Sequence, residues 1–205
     1  MGQNINTIIQ RRNKELAELL EKYHQQKNWQ SFFITLEGHE RQEAFECVYS
    51  EMSNEEYWKN LGEIIQGECL YDDKLKNLLT NKQYDLSLRH LMMSESDKQI
   101  FNKLPDKVRI YRGASEDNSL EGWSWSLSEK VALFFGKRFN KSVVLTGVCD
   151  KKDVIAYFHD RNEQELVIPF KEVNNVRVIQ KLINKHITST DSVIFKKRLD
   201  LLLKS

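Results

Sequence analysis

Glu163-Gln164-Glu165-Leu166-Val167-Ile168-Pro169 is the stretch on which the reading of this chain turns. In an extended strand side chains alternate between faces, so Glu163 and Glu165 are expected to point the same way, one pleat apart. The run behind them is apolar and rich in β-branched residues, as in a buried strand, and Pro169 ends it. Two carboxylates at the lip of a buried strand repel each other and resist desolvation, which suits a site that stabilises positive charge. A solvated strand start accommodates glutamates as well, so this stretch alone leaves both readings open.

Upstream segments break the tie. Val108-Arg109-Ile110-Tyr111-Arg112-Gly113 alternates like a strand and stops at a glycine, which permits a tight turn or a close approach of backbone to a ligand. Gly122-Trp123-Ser124-Trp125-Ser126-Leu127-Ser128 is a second alternating segment. It carries Trp123, Trp125 and Leu127 on one face and Ser124, Ser126 and Ser128 on the other. It runs into Glu129-Lys130-Val131-Ala132-Leu133-Phe134-Phe135-Gly136, a helix for which Ser128 is placed as N-cap and Glu129 in the first turn. The order is therefore an arginine at a strand end, a serine-faced strand entering a helix, and a strand opening with Glu-x-Glu.

Arg112, Ser124 and Ser126, and the Glu163-x-Glu165 pair, with Ala132 and Phe135 following the serines, resemble the R-S-E class of mono-ADP-ribosyltransferases. This is the arginine-type, Glu-x-Glu family of bacterial ADP-ribosylating toxins and of phage enzymes that modify host proteins. The resemblance covers about residues 108–170. Trp125 departs from it, standing where that family usually carries a threonine; alternation turns Trp125 away from the serines and into the core.

The fold expected is α+β: helical spacings read residues 1–104 as an N-terminal helical bundle packed on the rest, and the resemblance implies a C-terminal mixed or antiparallel β-sandwich of ADP-ribosyltransferase type over residues 105–205. It implies NAD as substrate and no metal. Cleavage of the nicotinamide–ribose bond develops positive charge on the sugar, as in glycoside hydrolysis, and Glu165 would stabilise that charge. Ser124 would hydrogen-bond Glu165 and orient it. Arg112 would hold phosphate and ribose oxygens through its planar, always-charged donors. Gly113 would let the backbone approach the nicotinamide amide, with Tyr111, Ser126 and Phe135 completing the cofactor-binding set. Ser126 equally suits a polar position facing a wet cleft, and Tyr111 suits the core.

Glu163 bears on the acceptor. In the family a glutamate two positions before the catalytic one goes with arginine modification, since a carboxylate binds and helps deprotonate a guanidinium. It also accepts from an exocyclic amine of a nucleic-acid base. Tyr157, Phe158 and Arg161 are the acceptor-binding candidates, expected just before the pair, where rings and a guanidinium suit stacking on a base or on an arginine. The expected acceptor is protein arginine first and RNA or DNA second, in an intracellular toxin with an antitoxin or inhibitor partner, or in a phage effector. NAD hydrolysis and an inactive fold serving as an interaction module are the remaining readings. The complete set of Arg112, Ser124, Glu163 and Glu165 argues against the last.

Composition sets outer bounds. Charged residues make up 30% of the 205 and nearly cancel, leaving a formal net charge of +1. Nothing in that balance points to a nucleic-acid binder or a polybasic membrane protein. Cys47, Cys69 and Cys149 are widely spaced and read as reduced thiols of a cytoplasmic protein. The N-terminus lacks the pattern of a signal peptide, and no apolar run approaches the ~20 residues that span a membrane. His159 reads as a solvent-contacting loop histidine rather than a general base.

Residues 6–23 read as one amphipathic helix, and residues 29–52 as two helical pieces parted near Gly38. Ser53-Asn54-Glu55-Glu56 fits a capping box. Helices are expected at residues 72–79 and 85–93, and from Ser94 or Ser96 to Pro105. Trp29 and Trp58 stand at helical spacings that favour core over a binding stripe. Strands are expected at residues 142–148, 153–158 and 175–179, and a last helix from Thr190 would carry Lys196-Lys197-Arg198 on a solvated face.

Overall fold

The computed structural model describes residues 5–67, 72–114, 121–138, 143–159 and 163–181. Cys69, Arg161 and the expected C-terminal helix with its basic face lie outside the described residues. The chain divides into two compact units, residues 1–70 with 80–92, and residues 71–79 with 93–205. Among the described residues no helix is long and apolar enough to cross a membrane.

The first unit is helical. Its elements are α1 (Ile5–Gln10), α2 (Lys14–Gln25), α3 (Trp29–Thr35), α4 (Gly38–Val48) and α5 (Asn54–Gly67), with a 3-10 segment at Leu86–Met92. The single helix expected over residues 6–23 is instead α1 and α2. Asn13 adopts an extended backbone between them, and its side chain accepts from Leu16 N at 3.0 Å. A capping asparagine satisfies an amide that a continuous helix would satisfy by itself, so the break is stabilised locally. The capping box at Ser53 forms, with Ser53 N donating to Glu56 Oε2 at 2.8 Å and Glu56 N to Ser53 Oγ at 3.3 Å. Those bonds, the backbone one foremost, hold the Glu56 carboxyl below its usual range.

Aromatic rings fill this unit. Tyr57 stacks on Tyr84 with centroids 3.7 Å apart, and Phe45 lies 5.4 Å from Tyr57. Trp29 and Trp58 are buried core residues, and the Trp58 indole finds its acceptor in Asp85 O at 2.8 Å.

The second unit contains α6 (Asp72–Leu79), α7 (Glu95–Asn102) and a six-stranded sheet with α8 (Glu129–Arg138) on it. The strands are β1 (Lys107–Ala114), β2 (Ser124–Ser126), β3 (Val143–Asp150), β4 (Ala156–Phe158), β5 (Glu165–Val167) and β6 (Val173–Lys181). Their order is β4-β5-β2-β1-β3-β6, and every described pairing is antiparallel. The fold is thus α+β. The described strands form one continuous sheet rather than the two layers of a sandwich, but its two halves are weakly joined. β1 and β3 pair along their whole length, from Lys107↔Asp150 to Ala114↔Val143. β1 and β2 meet only at Tyr111↔Ser126. A seam with a single bridge lets each half follow its own twist.

β1 buries Val108, Ile110, Arg112 and Ala114 on one face, by the two-residue alternation expected of it. Gly113, on the other face, meets α8. A Cβ there would come within 2.8 Å of Gly136 Cα and 2.9 Å of Ala132 O. The glycine that the sequence offers to a ligand is therefore occupied by a close helix–strand contact.

α7 is tied at both ends. Asp97, 1% exposed, accepts from Ser94 N at 3.1 Å, from Ser94 Oγ at 2.6 Å and from His159 N at 2.8 Å. At the other end Lys151 Nζ donates to Asn102 O at 2.8 Å and Leu104 O at 3.1 Å, meeting the carbonyls that a helix C-terminus leaves unpaired. In the sequence Asp97 looks like any acidic residue in a first helical turn. Replacing it by asparagine turns an acceptor into a donor facing donors, so Asp97→Asn is expected to destabilise the protein by about 1–3 kcal/mol. Thermal unfolding of the purified variant measures this.

Cys149 is fully buried in β3, and desolvation, helped by Asp150 and Asp153, pushes its thiol up to about 11. Because only the thiolate reacts, Cys149 should resist Ellman's reagent at pH 8 in the native protein and react after denaturation. Mass mapping of the labelled cysteines reads the outcome.

Candidate functional site

β2 and β5 carry the serines and the glutamate, and their register decides which groups meet. Ser126 stands opposite Glu165, Trp125 opposite Leu166 and Ser124 opposite Val167. Main-chain bonds extend the pairing beyond the strands, from Leu127 N to Gln164 O at 3.0 Å and from Ile168 N to Trp123 O at 2.8 Å. β4 flanks β5 on its other side, with Phe158 opposite Glu165. Glu165 therefore sits between two neighbours at the start of a short internal strand.

Directly opposed and diagonal residues of an antiparallel pair share a face, so Ser124, Ser126 and Glu165 lie together. Ser124 Oγ donates to Glu165 Oε1. Ser126 Oγ makes a different bond, donating to the carbonyl of Glu163 at 2.8 Å and accepting from Ser128 N at 3.0 Å. One serine holds the carboxylate of Glu165, and the other holds the backbone that leads to it. Ser128 accepts from Val131 N at 3.4 Å and starts α8 as its N-cap.

Arg112 reaches this group from across the seam. Its Nη1 donates to Ser124 O at 2.5 Å, and the residue is 8% exposed. Arginine, serine and glutamate thus form one connected chain: guanidinium to the Ser124 carbonyl, Ser124 hydroxyl to the Glu165 carboxylate. A buried guanidinium is tolerable only where its donors are met, and a main-chain carbonyl meets one of them here.

The expectation that Glu163-Gln164-Glu165 is extended is not met. β5 begins at Glu165, and Gln164 has φ 48°, in the left-handed region. The two carboxylates are therefore not related by a strand pleat. A non-glycine residue in that region is strained, and here Gln164 O is fixed by Leu127 N while Ser126 fixes the carbonyl before it. Alternation carries no information about such a kink, because a side chain with no left-handed preference makes it.

Of the remaining expected site residues, Phe158 and Tyr111 stand directly opposite members of this group, Glu165 and Ser126. Tyr111 is half-buried at the seam, paired with Ser126. Phe135 is half-buried on α8, edge-on to Phe134 at 5.3 Å. Gly113 packs on α8 as described. Tyr157 and Phe158 are in β4, within the strand expected at residues 153–158, and at 1% and 2% exposure they are core. Burial also raises the Tyr157 phenol above its usual range, with Asp97 adding to the effect. His159 is half-buried, its N–H bound to Asp97. Among the described residues no His, Cys, Asp and Glu cluster could hold a metal ion.

Gly122 belongs to the site and was not singled out for it. A Cβ on Gly122 would clash with the Arg112 guanidinium. The only sequence signal is a glycine opening a Trp-Ser-Trp-Ser segment.

Comparison of the chain with family models, with curated proteins and with solved structures finds no match. The strain at Gln164 is directly testable. Glycine there relieves a left-handed penalty of about 1–2 kcal/mol and gives up about 0.5–1 kcal/mol of chain entropy, so Gln164→Gly should stay within about 1 kcal/mol of the parent. Gln164→Val adds a β-branched side chain to the same conformation and should lose about 1–3 kcal/mol. Chemical denaturation of both variants distinguishes strained from relaxed geometry.

Proposed function

We propose that this protein is a NAD-dependent mono-ADP-ribosyltransferase that transfers ADP-ribose to a macromolecular acceptor, with protein arginine the favoured one. The observation that carries the reading is the connected Arg112–Ser124–Glu165 chain, assembled from separate strands on both sides of the seam. Residues as far apart in the chain as Arg112 and Glu165 are joined through Ser124, and that connection supports the reading.

The chemistry follows from the groups. Glu165, held by the Ser124 hydroxyl, presents a fixed negative charge where the ribose becomes cationic as the nicotinamide leaves. A carboxylate that is already oriented needs no reorganisation when that charge develops, which is why preorganised groups lower barriers. Ser124 supports this by removing the rotational freedom of the carboxylate. Arg112 contributes positive charge near the phosphates of the dinucleotide. Glu163, leading into the kink at Gln164, supplies the second carboxylate for an arginine acceptor.

Incubation with radiolabelled NAD and either lysate protein or RNA tests the reading. Label on protein that hydroxylamine releases supports arginine transfer. Label on RNA moves the acceptor to nucleic acid, and free ADP-ribose alone makes the protein a hydrolase. Glu165→Gln removes the charge and keeps the size; a rate loss of about a hundredfold or more is expected. An unchanged rate in that variant would remove Glu165 from the chemistry.

A further inference from the structure

We infer that Trp125 and Gly122 form a clamp that positions the Arg112 guanidinium, so that Trp125 serves the site from the core side of the sheet. The inference rests on the dinucleotide reading above for its purpose, but not for its geometry.

Three contacts define the clamp. The Trp125 indole Nε1 donates to the carbonyl of Gly122 at 3.0 Å, tying the ring back to the residue that leads into β2. The α-carbon of Gly122 then lies against the guanidinium, so closely that no side chain fits between them. The Ser124 carbonyl, at the start of β2, accepts from Arg112 Nη1 at 2.5 Å. One short segment thus meets the guanidinium twice, by contact at its glycine and by a hydrogen bond at its serine. Trp125 is 1% exposed and Gly122 is buried, so the bond between them is shielded from solvent.

The physical logic is one of freedom removed. An arginine side chain has many rotamers, and ordering it is entropically unfavourable unless the surroundings confine it. The carbonyl of Ser124 alone fixes one donor direction. The glycine surface fixes the plane, because a guanidinium packs flat only where no Cβ stands in the way. Trp125 sets the position of that surface, since its N–H is spent on the glycine carbonyl and its rings are gripped by the core, including Phe170 with ring centroids 6.3 Å apart. This gives the tryptophan a role that a residue merely filling space would not have. It acts through Arg112 and is a positioning residue.

Two variants test the clamp. Trp125→Phe keeps an aromatic ring and removes the indole N–H. Gly122→Ala keeps the indole and puts a methyl where the guanidinium lies. The direct readout needs no substrate: modification of Arg112 by phenylglyoxal, followed by peptide mass mapping, with thermal unfolding as the check on folding. The second readout is NAD binding by isothermal titration calorimetry. The expected result is faster modification of Arg112 in both variants, with NAD affinity lowered about tenfold, the worth of one hydrogen bond's positioning. Unchanged Arg112 modification in folded Gly122→Ala overturns the clamp, whatever NAD does. Should Trp125→Phe fail to fold, Gly122→Ala decides alone. Faster modification in a protein whose parent binds no NAD supports the clamp and overturns the dinucleotide reading.

Discussion

The register between β2 and β5 is the constraint on which the site depends. Each strand is only three residues long, yet Ser124 must face Glu165 and Ser126 must face the turn before it. A slip of one residue would send the serines to the core side and the tryptophan to the site. Short strands resist slipping poorly on their own. Here the apolar face supplies the specification, with Trp125, Leu166, Val167 and Ile168 all buried. The bonds from Leu127 and Ile168 lock the pairing at both ends. Core packing thus holds the polar groups in place, and the hydroxyls add direction to what the packing has already aligned.

The seam between β1 and β2 gives this arrangement its reach. A fully paired β1 and β2 would bring their residues together in one continuous ladder. With one bridge at Tyr111↔Ser126, Arg112 can leave the buried face of β1 and turn its guanidinium onto the Ser124 carbonyl. The Ser124 carbonyl meets one donor of that buried charge and offsets part of its desolvation. Meanwhile Gly113 lets α8 sit close on the opposite face of β1. Adjacent residues of one strand therefore do unlike tasks, and strand alternation is what separates them.

Much of this was legible from periodicity. The alternation of Val108 to Gly113 and of Gly122 to Ser128 is that of strands, and Ser128 and Ser53 mark helix starts that form; of the two starts open for α7, Ser94 and Ser96, it is Ser94 that caps it. Trp125 was legible as a core residue from its face alone, but its hydrogen bond to Gly122 was not, since alternation tells where a ring points and not what its N–H finds. The kink at Gln164 was hidden because glutamine carries no signature of left-handed backbone; tertiary bonds impose it. Tyr157 and Phe158 read both as the end of the strand expected at residues 153–158 and as acceptor-binding candidates beside the loop that follows. A short aromatic segment before polar residues reads alike as a strand end or a loop start, and only its pairing with Leu166 and Glu165 decides. Asp97 escaped notice because an acidic residue in a first helical turn is ordinary. Its significance comes from His159, 62 positions away along the chain.

The fastening of α7 has a consequence for how this unit breathes. The helix is roped at its start to the residue that follows β4, and at its finish to the lysine that follows β3. Its amides cannot become accessible to solvent deuterium by fraying from either tip, since each tip is moored to the sheet. Opening must instead proceed as a joint event in which helix and strand ends let go together. An eight-residue helix, too brief to persist alone in water, thereby borrows the lifetime of the sheet.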